Sequence, residues 1–490
     1  MYRRSLQASC NLFPSTSHVV ESQSSPHLRK TTKSRLVRFV QRLQTSMKMA
    51  TMGKNSEPKV LIGVVFLGIV MLVLLLVGLA FGSFRMFVGQ TVQEVPWKSL
   101  PRPSTEADQV PFYAALRTAF AALYPPNEKR SLQVVRNLQK YTFQPHPFVD
   151  ENDRSDVGKD PLPYYDIYNC PDRPPAGYPR AWKLMDILRH WPADDPEPRM
   201  EVFQGICVFD FTKDYAKAMA YRDAEVPFVI QGDPQVAATV ERWNSDHYME
   251  TLLGDEEYET EYSETNHFTF WSSSLAQYHR QQKMDDGWKE PTKKVQLSFS
   301  KWLQHANDKD KNVHRPDEPH WYFRLNACGS AKGCADLPSE FLFDELPFFQ
   351  PKKSLYMKAP DTQRGIHCRF GTRGVISTNH FDGPRNMIAL LKGERRYLLS
   401  HPDQCKNLAL YPPEHPSARH SAVDWSDPDL EQYPEFADAK GNEVVLQAGD
   451  MLYLPTLWFH HIISLSANYQ CNSRSGMGKE YMQDIHRCGF

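Results

Sequence analysis

The chain has 490 residues, a formal net charge of −1, 41% hydrophobic residues and 12% aromatics. That length exceeds one ordinary domain and can bury a sizeable core, and the composition excludes both disorder throughout and a collagen-like repeat. The charge is split: residues 1–59 hold 11 Lys/Arg against Glu21 and Glu57, a balance of +9, while the remainder holds 46 Lys/Arg against 56 Asp/Glu, a balance of −10.

The basic head, residues 1–59, reads as a disordered tail. It is followed by VLIGVVFLGIVMLVLLLVGLAFGSF, residues 60–84, which carry no charge between Lys59 and Arg85. About 20 apolar residues suffice to cross a bilayer as a helix, so a single transmembrane helix is expected here. The basic head then predicts a type II arrangement with residues 85–490 in the lumen of the endoplasmic reticulum or Golgi. The head is also Ser-rich and acid-poor, like a mitochondrial transit peptide, which makes a mitochondrial membrane the alternative. Eight of the nine cysteines follow the span. An even number fits an oxidising compartment, whereas the absence of any Asn-x-Ser/Thr sequon weighs against a lumenal location. Cys328 and Cys334 bracket a flexible GSAKG loop and form one candidate disulfide; Cys170 and Cys207 form another.

Residues 85–110, with Pro96, Pro101 and Pro103, read as a stalk. Phe112, Leu116, Phe120 and Leu123 recur at helical spacing until Pro125–Pro126, and Leu132, Val135, Leu138 and Tyr141 suggest a second helix. Residues 111–199 therefore read as a helical and irregular accessory region. From about residue 200 to 478 the texture changes to short β-prone stretches between Gly/Pro/Asp turns, among them EVPFVIQG, HFTFW, HWYFRL, GVISTNHFD, NMIALLKGERRYLLS, NEVVLQAG and DMLYLP. This pattern predicts a mainly β sandwich or barrel with added helices. Residues 479–490 form a tail.

Chemistry concentrates in two places. GVISTNHFDG holds His380 and Asp382 at i, i+2, which share one face of a strand. GDMLYLPTLWFHHI ends in His460–His461, of which strand alternation turns only one inward. Two imidazoles and one carboxylate, with three coordination positions open, make the facial triad of non-haem iron(II) oxygenases. An isolated H-x-D is weak evidence by itself.

The wider pattern resembles the cupin-like branch of the Jumonji-C (JmjC) 2-oxoglutarate oxygenases, and is close to the asparaginyl hydroxylase that inhibits hypoxia-inducible factor. The resemblance rests on EVPFVIQG, HFDGPRNMIALLKGERRYLLSHPDQCKNLALYP, VDWSDPDLEQYPEF and GDMLYLPTLWFHHIISL, in that order. It implies a double-stranded β-helix, the jelly-roll or cupin fold, with iron(II) held by His380, Asp382 and His460. It also implies 2-oxoglutarate and dioxygen as co-substrates. By motif position the 2-oxoglutarate contacts are Tyr322, Ser377 (with Thr378 if the register slips), Asn386 and Asn472. Arg395 stands where the family usually has a Lys; Lys392 and Arg396 are fallbacks, but both lie an odd number of residues away and so off its face.

The expected function is thus a membrane-anchored oxygenase, held by residues 60–84, that hydroxylates a protein or peptide side chain. The rivals are a non-catalytic cupin-like binding module and a lysine demethylase. No nucleic-acid partner is expected, because no basic stripe with interleaved aromatics appears beyond the head.

Overall fold

A computed structural model describes residues 106–123, 142–143, 165–199, 201–282, 287–328, 341–350 and 355–490. The expected N-terminal helix is α1 (Glu106–Leu123), with Phe112, Leu116 and Phe120 buried along one face. The second helix expected over 132–141 lies outside the described residues. Next come β1 (Thr142–Phe143), β2 (Trp182–Lys183), α2 (Leu184–His190), β3 (Glu201–Val202), β4 (Val208–Asp210) and α3 (Tyr215–Asp223). EVPFVIQG supplies β5 (Phe228–Gln231), then α4 (Pro234–Trp243) and α5 (Asp246–Leu253) follow. Both helix starts are written locally. The Asp233 carboxylate accepts from Gln235 N at 2.7 Å with Pro234 in the first helical position, and Ser245 Oγ accepts from Tyr248 N.

Further along lie β6 (Glu257–Ser263), β7 (His267–Phe268), α6 (Ser273–Gln281), β8 (Lys293–Ser298), α7 (Phe299–Lys311), β9 (His320–Ala327) and α8 (Leu342–Glu345). The motif-bearing part adds β10 (Gln363–Gly371), β11 (Ile376–Phe381), β12 (Asn386–Lys392), β13 (Glu394–Ser400), β14 (Lys440–Gln447), β15 (Met451–Leu454), β16 (Phe459–Ser464), β17 (Asn468–Ser475) and α9 (Met482–His486).

Among the described residues the strands form a nine-stranded sheet, β4-β5-β15-β12-β17-β10-β9-β6-β8, a six-stranded sheet, β2-β14-β13-β16-β11-β7, and a short parallel pair, β1-β3. Alternation sorts each strand between layers. Tyr397, Leu399 and Ile462 of the smaller sheet cluster with Ile388, Leu390 and Leu452 of the larger one, while Leu398 and Ile463 belong to a separate outer layer. On the other side of the nine-stranded sheet, Phe370 packs against Trp243 of α4 and Trp302 of α7. This is the jelly-roll architecture, a pair of sheets closed around one interior, with helices added outside.

The segment around α2 covers the six-stranded sheet. Leu184, Trp191 and Phe203 join Leu398, Val445 and Ile463 in one cluster. A fully buried ion pair bolts this cover down: Arg396 Nε donates to Glu443 Oε1 at 2.9 Å, and the same guanidinium donates to the carbonyls of Trp191 and Pro192. Three disulfides close further loops: Cys170–Cys207, Cys368–Cys471 and Cys405–Cys488, the last tying the tail beyond α9 to the barrel. Cys328 is also disulfide-bonded; its candidate partner Cys334 lies outside the described residues.

The membrane reading requires correction. Among the described residues no helix is long and apolar enough to cross a membrane. Among the described residues the longest helix, α1, carries Glu106, Asp108 and Arg117 in its sequence. Residues 60–84, on which the single-pass lumenal placement and its mitochondrial alternative rested, lie outside the described residues. Neither placement is retained.

Candidate active site

His380 sits near the end of β11, and Asp382 follows the strand by one residue. His460 comes from β16, which pairs antiparallel with β11 so that His380 lies directly opposite His460. One ligand atom from each of the three side chains falls within 4.8 Å of the others. The tautomers are set by the backbone. His380 Nδ1 lies 2.7 Å from Thr378 O and His460 Nδ1 lies 3.0 Å from Trp458 O. Each Nδ1 is thereby the protonated nitrogen, and each Nε2 keeps a lone pair for a metal.

Electrostatics favour the same state. Burial, reinforced by the neighbouring imidazoles His460 and His420, holds His380 well below the ordinary histidine range, and burial also lowers His460, so both are neutral near pH 7. Burial alone would raise the Asp382 carboxyl. Arg474, His380, His460 and Arg419 outweigh it and hold Asp382 well below the usual carboxylate range. Arg474 Nη2 donates to Asp382 Oδ2 at 2.5 Å, which steadies the carboxylate and engages one of its two oxygens. Two neutral imidazoles and one ionised carboxylate match the donor set of a divalent first-row metal.

The triad opens on a cavity of about 380 Å³ between the sheets, a size suited to a small ligand. Tyr322, Ser377, Asn386 and Asn472 all line it. Ser377 reaches it through a β-bulge. It lies three positions before His380, which in a regular strand would put the two on opposite faces. The β11–β16 register slips between them, with Ser377 opposite Ile462 and His380 opposite His460, and the extra residue returns Ser377 to the inner face. Thr378 is turned away and exchanges a hydroxyl hydrogen bond with Thr269 at 2.9 Å. Asn472 Nδ2 donates to Asn386 Oδ1 at 2.8 Å, so the two amides act as a pair.

Arg395 is placed differently from the motif expectation. It points inward but is completely buried and does not reach the cavity surface. Nε donates to Asn468 Oδ1, Nη1 to Tyr322 OH and Gln470 Oε1, and Nη2 to Arg369 O. Its donors are spent on the barrel wall. The fallbacks are elsewhere: Lys392 pairs with Asp246 at 2.7 Å and Arg396 faces the outer layer. His461 also faces outward, stacked on Trp425 at 5.0 Å with burial pushing its pKa down to about 3.

The cavity holds residues that the motifs did not announce: Arg324, Arg364, Arg369, Arg419, Arg474 and His420. For Arg474 a signal existed, since alternation from Asn472 along β17 puts it on the same inner face. Arg369 lines the cavity from β10, on which Ile366, Cys368 and Phe370 take the opposite, packed face. Arg419 and His420 come from an irregular loop and gave no periodic signal. His420 stacks on His380 with centroids 4.9 Å apart, and Phe381 N bonds to Arg419 O. Arg419 has a left-handed backbone (φ 72°) that a non-glycine residue adopts at a cost, and its guanidinium lies over the half-exposed ring of Phe270.

A family model for the cupin-like domain matches residues 216–474, which is 259 of the 490 residues. The chain belongs to the cupin-like domain family. Its cupin-like domain is similar to tRNA wybutosine-synthesizing protein 5 of Danio rerio, 27% identical over 34% of this chain and 49% of that protein. It is similar also to a human bifunctional peptidase and (3S)-lysyl hydroxylase, 29% identical over 27% of this chain and 48% of that protein. A lysine-specific demethylase of Danio rerio matches at 29% identity over 28% of this chain and 35% of the relative. The chain thus spans about half or less of the length of these curated relatives.

Proposed function

We propose that the chain is an iron(II)- and 2-oxoglutarate-dependent oxygenase that hydroxylates a protein or peptide side chain. One observation carries this reading: two imidazoles freed at Nε2 and one ionised carboxylate converge within 4.8 Å on the wall of a polar cavity. Iron(II) bound there with 2-oxoglutarate supplies the oxidation of an unactivated C–H bond by dioxygen, with succinate and carbon dioxide as co-products. His380, Asp382 and His460 would hold the metal. Arg474 keeps Asp382 ionised and oriented, and the Asn386–Asn472 amide pair lines the cavity with the triad. Tyr322 and Ser377 offer hydroxyls to a carboxylate, and the apolar layer of Ile388 and Ile462 keeps one side of the cavity dry.

The relatives' names mention tRNA, lysyl hydroxylation and lysine demethylation. Five arginines around this cavity disfavour a cationic lysine as the target, because like charges repel across a partly desolvated space. A neutral or acidic side chain fits better. The non-catalytic alternative differs in one readout. Purified protein given iron(II), ascorbate, dioxygen and 2-oxoglutarate should release succinate, and His380→Ala or Asp382→Ala should abolish it. Succinate release that persists in both variants would overturn the proposal, and its absence from the wild-type protein with a peptide library would favour the binding module.

A further inference from the structure

The cavity carries more positive charge than the chain itself neutralises. Arg324 pairs with Glu261, Arg474 pairs with Asp382, and Arg419 lies 3.9 Å from Asp382. Arg364 is exposed to solvent. Arg369 stands apart: among the described residues no carboxylate lies within ion-pair distance of it. Its Nη1 donates to Asn326 Oδ1 at a long 3.4 Å and to Cys368 O at 3.1 Å.

The strand register makes this costly. Arg369 of β10 lies directly opposite Arg324 of β9 on the same face, with Gln470 of β17 on its other side. Like charges facing one another across an antiparallel pair are destabilising. Burial, with repulsion from Arg324, pushes the Arg369 guanidinium down to about 9, and Glu261 offsets this only in part. A guanidinium kept in a cavity wall against repulsion and desolvation is a site prepared for an anion.

Resting on the oxygenase reading above, we propose that Arg369 clamps the distal carboxylate of 2-oxoglutarate, with Arg395 as the strut that holds its strand. Arg395 is at the motif position for that role, yet its donors are already engaged. One of them, Nη2, bonds to the carbonyl of Arg369 itself at 3.2 Å. The cation that the family's pattern places on β13 has thus passed its ligand contact to the neighbouring wall. Tyr322 OH, which accepts from Arg395 and lines the cavity, stands ready to donate its own proton to the same carboxylate. An Arg at this point offers a planar, two-pronged donor that suits a carboxylate and keeps its charge at every physiological pH.

The test separates the distal carboxylate from the chelating end of the co-substrate. Binding of 2-oxoglutarate and of 2-oxopentanoate, which lacks only the distal carboxylate, is measured by calorimetry on the Mn(II)-loaded protein without dioxygen. The wild-type protein should prefer 2-oxoglutarate by about 10- to 100-fold, the value of one charge-assisted contact. Arg369→Met should bind one Mn(II) per chain, bind 2-oxopentanoate as the wild-type protein does, and lose the preference. Arg369→Lys should retain part of it. Undiminished preference in Arg369→Met would overturn the inference. Should the wild-type protein bind Mn(II) but neither keto acid, the oxygenase reading itself falls, and this inference with it.

Discussion

The buried Arg396–Glu443 pair gives a demanding test of how the α2 segment is fixed to the barrel. Both side chains are 0% exposed, and the guanidinium also lies 4.1 Å from the centroid of the Trp191 ring. Arg396→Met keeps most of the apolar stem. It leaves the Glu443 carboxylate buried without a cation, and it strands the carbonyls of Trp191 and Pro192 that the guanidinium now satisfies. Breaking one side of a buried ion pair costs about 3–5 kcal/mol. Urea unfolding followed by tryptophan fluorescence should show that loss as a lower midpoint with little change in slope. Arg396→Met combined with Glu443→Leu removes both charges, and should recover at least half of the loss. The recovery stays incomplete, because Phe203 N, which now donates to Glu443 Oε2 at 2.9 Å, loses its acceptor. A cost below about 1 kcal/mol for the single variant, or no recovery in the double, would refute the view that this pair anchors the cover.

Other consequences are equally concrete. Burial raises the Asp450 carboxyl to about 7 despite hydrogen bonds from Gln447 N and Gln231, whereas an unfolded Asp titrates near about 3.9. Between those values the folded protein keeps a proton that the unfolded chain has released, so this group's contribution to stability falls as pH rises from about 4 to about 7. Asp450→Asn should flatten the pH dependence of the unfolding midpoint in that window; an unchanged slope would count against it. Cys405→Ser with Cys488→Ser should cost about 2–4 kcal/mol and speed hydrogen exchange over residues 479–490, since the bridge spans 83 positions. Non-reducing peptide mapping that found Cys170 and Cys207 as free thiols would contradict the bridge between them. Gly393→Ala should destabilise by at least about 2 kcal/mol, because φ is 72° there and a Cβ would stand 2.3 Å from Ala467 O; a neutral variant would refute that turn geometry.

Much of the site was legible because strand alternation is a strong local rule. His380 and Asp382 at i, i+2 share a face, and of the tandem histidines one lines the cavity while the other stacks on Trp425. The first helix was readable from Phe112, Leu116 and Phe120 at helical spacing, and all three are buried along one face of α1. What alternation and motif position do not reveal is hidden for physical reasons. Motif position alone assigned Arg395 to the co-substrate, but the inward row on β17, Asn468 and Gln470, takes up its donors. Ser377 reaches the cavity only through a bulge that no pattern of alternation announces. Arg419 and His420 depend on how a loop without periodicity folds back onto β11. The apolar run at 60–84 was read from composition, a signal that reports length and hydropathy and not the compartment.

Metal stoichiometry in the two neighbouring histidines tests the central claim most directly. Equilibrium dialysis against Fe(II) without dioxygen, or against Mn(II), should find one ion per chain in the wild-type protein. His460→Ala, like His380→Ala and Asp382→Ala, should bind none, while His461→Ala, altered on the outer face one residue away, should keep its ion. Retention in His460→Ala together with loss in His461→Ala would contradict the account.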